Sequence, residues 1–178
     1  MKNYNLYFFD FDNTLTKDPL EINYAEIRNE LCKIIGKYDK FVPIIDTIYE
    51  YDNKLLNFKR HAFDIIDKYE KLSINNAVCD ENVVKLYVSL PKEKKVIISR
   101  NGEGCIKKFL EEHHLEYPSV ICSRDNIKNL KPDPEAYLYI KSIYNNLNEL
   151  NILMIGDSVH DELFARNCNI DYKNKINC

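Results

Sequence analysis

Four short apolar runs punctuate the chain, at residues 6–9, 96–99, 120–122 and 152–155, and polar residues follow each of them. Runs this short, unbroken by charge and rich in Ile, Val and Phe, read as strands buried on both faces, as in a parallel sheet. Between them the apolar period lengthens to that of helices. From about Glu21 to Lys37 the residues Ile22, Ala25, Ile27, Leu31, Ile34 and Ile35 recur at helical spacing, and Gly36 is the stop. A second helical stretch runs from about Pro43 to Leu72, with a break near Asp52 and Asn53. Helices are further predicted over residues 81–90, over residues 103–114, from Pro134 to about Asn146 with Asp133 as N-cap, and from Ser158 onward. The last residues, Asn169 to Cys178, are polar and Asn/Lys-rich and give only weak support to a fifth edge strand.

Strands alternating with helices predict an α/β, doubly wound parallel sheet, a Rossmann-like architecture with helices on both faces. Ligands in such sheets bind beyond the carboxyl ends of the strands. The chemistry-bearing residues of this chain lie at those ends or in the loops after them. The first run delivers Asp10 and Asp12 in LYFFDFDNTLT. Residues two apart on a strand share a face, so the two carboxylates meet in one small pocket and require a cation or a shared proton. The second run ends at Ser99, followed by Arg100, Asn101 and Gly102 and then a helix. Such a turn places free backbone N–H groups beside Ser99, an anion-binding arrangement. Lys131 stands in NLKPDPEAY, and Gly156, Asp157, Ser158 and Asp161 close LNILMIGDSVHD.

In this order the four stretches resemble the haloacid dehalogenase superfamily of phosphate-transferring enzymes, in its phosphoglycolate phosphatase-like subgroup. The family motifs D-x-D-x-T, a strand-ending Ser or Thr, a Lys, and G-D-S-x-x-D are matched by Asp10, Asp12 and Thr14, by Ser99, by Lys131, and by Gly156, Asp157, Ser158 and Asp161. The resemblance implies a catalytic core over residues 1–16 and 76–178 and a small helical cap inserted over residues 17–75. It implies Asp10 as nucleophile toward phosphorus, forming an aspartyl-phosphate, and Asp12 as general acid and then base. Ser99, Arg100, Asn101 and Lys131 are the expected phosphate-binding group, with Lys131 offsetting charge on the transferring oxygens. Asp10, the Asp12 backbone carbonyl and Asp157 are the expected ligands of Mg²⁺, a cation that favours oxygen donors. Asp161 is expected either to reach the metal through water or to brace Lys131. Thr14 and Ser158 are supporting residues, the latter also a natural helix cap.

The family often has a small or amide residue where this chain has Arg100, whose side chain either meets substrate or points away. Asn13 stands where Gly is common, and Asn tolerates unusual backbone angles. Lys17, Arg28, Lys54, Arg60 and His61 are the cap side chains that are candidates for contact with a leaving group. His113, His114 and His160 lack the partners of a metal site.

Composition narrows the function further. The chain of 178 residues is 45% hydrophobic and 30% charged, with a net charge of −3 and no basic block, which argues against strong nucleic-acid binding. The six cysteines show no metal-finger spacing, and several fall inside apolar patterns, as reduced thiols of a cytoplasmic protein do. No apolar stretch has the length of a membrane span, and a strand so close to Met1 leaves no room for a signal peptide. The expected function is therefore Mg²⁺-dependent hydrolysis of a small phosphorylated metabolite or nucleotide. A phosphomutase of the same fold and a catalytically silent phosphate- or metal-binding protein are the alternatives. A receiver-type phospho-acceptor domain is disfavoured, because its acidic pair precedes its phospho-acceptor strand.

Overall fold

The computed structural model describes residues 4–144 and 151–177. Five parallel strands form one sheet in the order β3-β2-β1-β4-β5. They are β1 (Leu6–Phe9), β2 (Lys95–Ile98), β3 (Val120–Cys122), β4 (Ile152–Gly156) and β5 (Asp171–Asn174). The weakly supported fifth strand does form, at the edge beside β4, where its polar side chains are only half-buried. β1 lies at the centre, with Phe8 in register with Val96 on one side and Met154 on the other.

Alternation along the strands sends side chains into two separate cores. Leu6, Phe8, Val96, Ile98, Ile152 and Met154 pack with α6 (Glu135–Ile143) and α7 (Val159–Asn167). Phe9, Ile97, Leu153 and Ile155 pack on the opposite face with α4 (Glu81–Ser89) and α5 (Glu103–Glu112). The sheet is thus doubly wound, and unbroken apolar strands are what burial on both faces requires.

Three helices leave this arrangement between β1 and α4: α1 (Tyr24–Ile35), α2 (Ile44–Asp52) and α3 (Phe58–Ile74). They bury a cluster of their own, including Ile27, Leu31, Phe41, Ile48, Phe58 and Ile66. The chain leaves and returns side by side: Thr16 pairs with Cys79, and the Lys17 and Asp80 amides donate to Val78 and Leu15 carbonyls at 2.7 and 2.9 Å. The expected break after Asp52 is real, and Asn57, in the left-handed region at φ 61°, redirects the chain into α3.

Helix ends shift slightly from expectation. α1 starts at Tyr24 because the Asn23 side chain accepts from the Glu26 amide at 3.1 Å. α6 starts one residue late, with Pro134 as N-cap, while the Asp133 carboxylate accepts from the Glu135 amide at 2.9 Å. It stops at Ile143, and its expected extension to Asn146 runs into residues 145–150, outside the described residues. Among the described residues no helix is long and apolar enough to cross a membrane.

Candidate active site

β1 and β4 lie on either side of the point where the strand order reverses, the usual place for a ligand crevice in such sheets. Asp10 follows β1, its amide held by the Ile155 carbonyl at 2.9 Å, and Asp157 follows β4. The chain then turns tightly: the amides of Thr14, Leu15 and Thr16 all donate to the Phe11 carbonyl. Asn13 sits at φ 54° within that turn, a conformation Asn tolerates.

The turn aims its side chains at one point. Thr14 Oγ1 lies 3.4 Å from Asp10 Oδ2 and 3.3 Å from Asp157 Oδ1, and Asn13 Nδ2 donates to Asp157 Oδ2 at 2.7 Å. Lys131, almost fully buried, places Nζ 2.6 Å from Asp10 Oδ1 and 2.5 Å from Asp161 Oδ1. The other oxygen of Asp161 accepts from the Ser158 amide at 3.0 Å and from the Ser158 hydroxyl at 2.6 Å, a reciprocal cap on α7. With both oxygens occupied and no solvent exposure, Asp161 has the geometry of a brace for Lys131. Gly156 makes this possible, because a Cβ there would lie 2.4 Å from Asp161 Cγ.

Asp10, Asp157 and Asp161 present carboxylate oxygens within 4.8 Å of one another, with the Lys131 ammonium between Asp10 and Asp161. Burial pushes the Asp10 carboxyl up to about 7, with Lys131 pulling the other way. Burial also opposes the charge on Lys131, but Asp10 and Asp161 more than offset this and hold its ammonium above the usual lysine range. Oxygen donors carrying more negative charge than Lys131 balances fit a hard divalent cation, which would also favour the ionised form of Asp10. The Asp12 carboxylate is not part of this cluster. It turns aside to accept from the Leu20 amide at 2.7 Å, and burial raises its pKa, with Asp157 and Glu70 adding to the effect.

Ser99, buried at the end of β2, donates to Asn101 Oδ1 at 3.0 Å and accepts from the Asn101 amide at 3.1 Å. The N–H groups expected to be free at this turn are taken by the protein itself. Beyond the Asn101 amide, that of Gly102 donates to Glu70 Oε2 at 3.0 Å and that of Glu103 to Asp125 Oδ2 at 2.7 Å.

Asp10, Asp12, Ser99, Arg100, Asn101, Lys131, Asp157 and Ser158 all border one cavity of about 480 Å³. Of the predicted leaving-group contacts only Arg28 joins them; Lys17, Lys54, Arg60 and His61 are exposed elsewhere. Arg100, exposed, lies at the cavity. Tyr24, Glu70, Arg124 and His160 border it too, and sequence pattern does not single them out for this place. Phe41, Ile44, Ile45 and Ile66 form an apolar wall. The Nε groups of Arg28 and Arg124 are buried donors without an acceptor among the described residues.

The family model of haloacid dehalogenase-like hydrolases matches residues 7–174. The chain belongs to that family. Solved structures of the same fold include a hydrolase from Pseudomonas syringae, at 22% identity and TM-score 0.63 over 94% of this chain and 82% of that one. CbbY from Rhodobacter sphaeroides, in complex with phosphate, matches at 12% identity and TM-score 0.62 over 97% and 86%. A protein from Lactobacillus plantarum provisionally assigned as a phosphoglycolate phosphatase matches at 20% identity and TM-score 0.57 over 98% and 87%. A search of curated proteins finds no match.

Proposed function

We propose that the protein is a Mg²⁺-dependent phosphatase that hydrolyses a small phosphomonoester through an aspartyl-phosphate on Asp10. The observation that carries this reading is Lys131 bridging buried Asp10 and Asp161 beside half-buried Asp157, a carboxylate cluster open to a cavity of about 480 Å³.

An Asp10 carboxylate oxygen attacks phosphorus, forming a new P–O bond as the ester P–O bond breaks. Asp12, its pKa raised by burial, gives its proton to the departing alkoxide, which leaves as an alcohol. The Asp12 carboxylate then takes a proton from the water that attacks the same phosphorus. The acyl-phosphate bond breaks, freeing inorganic phosphate and restoring Asp10. Lys131 stabilises charge on the phosphoryl oxygens, and the Ser99 hydroxyl does so when its single proton turns from Asn101 Oδ1 to the phosphate. Asp10, Asp157 and the backbone carbonyl of Asp12 would hold Mg²⁺, which supplies positive charge against the carboxylates and the phosphate when bound. Helices α1–α3 act as the cap over residues 17–75, with a catalytic core formed by residues 1–16 and 76–178. Their apolar wall and the unpaired Nε of Arg28 receive the leaving group of a phosphorylated metabolite or nucleotide. The five described cysteines are unpaired, in keeping with action in the cytoplasm.

Release of inorganic phosphate from a panel of phosphomonoesters, with Mg²⁺ and with chelator, tests the reading. Metal-dependent turnover is expected in the wild type and is abolished in Asp10→Asn. Phosphate moved between positions of a sugar without release would instead indicate a mutase. Turnover that survives Asp10→Asn would refute the assignment of the nucleophile.

A further inference from the structure

We propose that Glu70, on helix α3, is a positioning residue that sets the shape of the Ser99–Gly102 turn through a buried strut with Arg124. The inference rests on the phosphatase reading, since that turn is the proposed seat of the phosphoryl group.

The Glu70 carboxylate is only 4% exposed and collects four hydrogen bonds. Arg124 Nη1 and Nη2 donate to it at 2.6 and 2.9 Å, Asn101 Nδ2 at 3.2 Å and the Gly102 amide at 3.0 Å. One side chain from the inserted helices thus fixes a side-chain amide and a backbone amide two and three residues after Ser99. It also fixes Asn101, whose side-chain oxygen receives the Ser99 hydroxyl at 3.0 Å. The Ser99 hydroxyl therefore points where Asn101 directs it, and Asn101 is held by Glu70.

Arg124 closes the arrangement from the loop after β3, with Nη1 also 3.5 Å from the Arg100 carbonyl and its guanidinium 5.4 Å from the Phe63 ring of α3. Glycines allow the approach. A Cβ at Gly102 would lie 2.7 Å from Arg124 Nη2, and one at Gly104 would lie 2.6 Å from Lys71 Cε. The first turn of α5 is built to press against α3 at the height of Glu70.

A pair that only held helices together would be replaceable by apolar side chains, since exchanging a buried ion pair for hydrophobic residues is often neutral for stability. A pair that positions the turn is not replaceable in this way. The test compares wild type with the charge-neutral double variant Glu70→Leu/Arg124→Met and with Glu70→Asp, which keeps the charge but withdraws it by one methylene. Three quantities are read in the full chain: the thermal transition, inorganic phosphate affinity by calorimetry with Mg²⁺ present, and amide hydrogen exchange at residues 101–103.

Both variants are expected to fold, to bind phosphate about tenfold more weakly, a change of about 1.4 kcal/mol, and to lose protection at Gly102. On any ester that is turned over, kcat falls by a similar factor. Phosphate affinity, kcat and Gly102 protection within twofold of wild type in either folded variant would overturn the proposal. If wild type neither binds nor releases phosphate, the phosphatase reading fails and hydrogen exchange still decides the strut. Unchanged Gly102 protection in the variants would then refute it, and lost protection would sustain it as the determinant of the turn.

Discussion

The cavity handles charge in two opposite ways. On its floor, between β1 and β4, three carboxylates crowd together, two of them, Asp10 and Asp161, share the Lys131 ammonium, and burial leaves Asp10 with a raised pKa. On its wall, between α3 and the loop after β3, a single carboxylate faces a single guanidinium bidentately, and both of its oxygens take an amide donor as well. The floor is electrostatically incomplete, whereas on the wall one charge balances one, with the Arg124 Nε alone left without an acceptor among the described residues. An incomplete buried cluster costs stability and persists where a ligand completes it; a balanced pair orders its surroundings without needing one. The contrast matches the proposed division, chemistry on the floor and geometry on the wall.

The largest effect that would break this contrast comes from Lys131→Met. If the floor carries the chemistry, removing the Lys131 ammonium lowers turnover by about 10²–10³-fold, the scale of a lost electrostatic stabiliser. It also leaves Asp10 and Asp161 facing each other in a buried site. Breaking a pair buried to this degree costs about 3–5 kcal/mol, read from urea unfolding without metal. A variant that is inactive yet as stable as wild type would mean that the cluster is already relieved by protonation, and the floor would then be less strained than its geometry implies.

A smaller effect follows from Asp10 itself. Burial raises its carboxyl from the usual 3.8 to about 7, so between those values the folded metal-free chain keeps a proton that the unfolded chain has released. Stability therefore falls as pH rises through that window. Asp10→Asn has nothing to titrate there, so its thermal midpoint changes less with pH, and at pH 8 it exceeds wild type by a few degrees. Parallel pH profiles for the two proteins would show that Lys131 already fully compensates Asp10.

The same contrast separates what sequence pattern reveals from what it hides. Asp10, Ser99 and Asp157 stand at or directly after apolar runs, and strand periodicity with the rule for parallel sheets is enough to place such residues on one edge. Lys131 is marked only by its K-P-D-P setting and its order among the other motifs. The strut is hidden for a different reason: Glu70 and Arg124 are 54 residues apart, and no local period relates them. One signal is present. Ala62, Ile66 and Ile74 form the buried stripe of α3 at four-residue steps and at the double step, and Glu70 occupies the place on that stripe where an apolar residue belongs. A charge on a buried stripe demands a partner. The N–H groups expected to be free after Ser99 are filled instead, because backbone pattern alone does not reveal which side chains arrive at a turn. The edge strand β5 is faint because it pairs with a neighbour on one side only and its half-buried residues are polar.

That polar end of the chain supplies the smallest effect. Lys175, beyond β5, donates to Asn13 Oδ1 at 2.9 Å and to the Lys17 carbonyl at 2.7 Å, while Asn13 Nδ2 donates to Asp157 Oδ2 at 2.7 Å. The ammonium thus settles which end of the Asn13 amide faces Asp157. Partners that touch a metal ligand directly alter affinity by about 10–100-fold. With Asp157 as the proposed metal ligand, Lys175 acts one residue further away, and the Asn13 backbone is independently held by the hydrogen bond its N–H donates to Thr16 Oγ1 at 2.6 Å. Lys175→Met is accordingly expected to weaken Mg²⁺ by about two- to fivefold, well under that direct range, with phosphate affinity at saturating Mg²⁺ unchanged. Titration of the thermal midpoint with Mg²⁺ measures it. A loss of about fiftyfold or more, inside that direct range, would place the end of the chain among the determinants of the floor itself. No change at all would show that the turn around Phe11 orients Asn13 unaided.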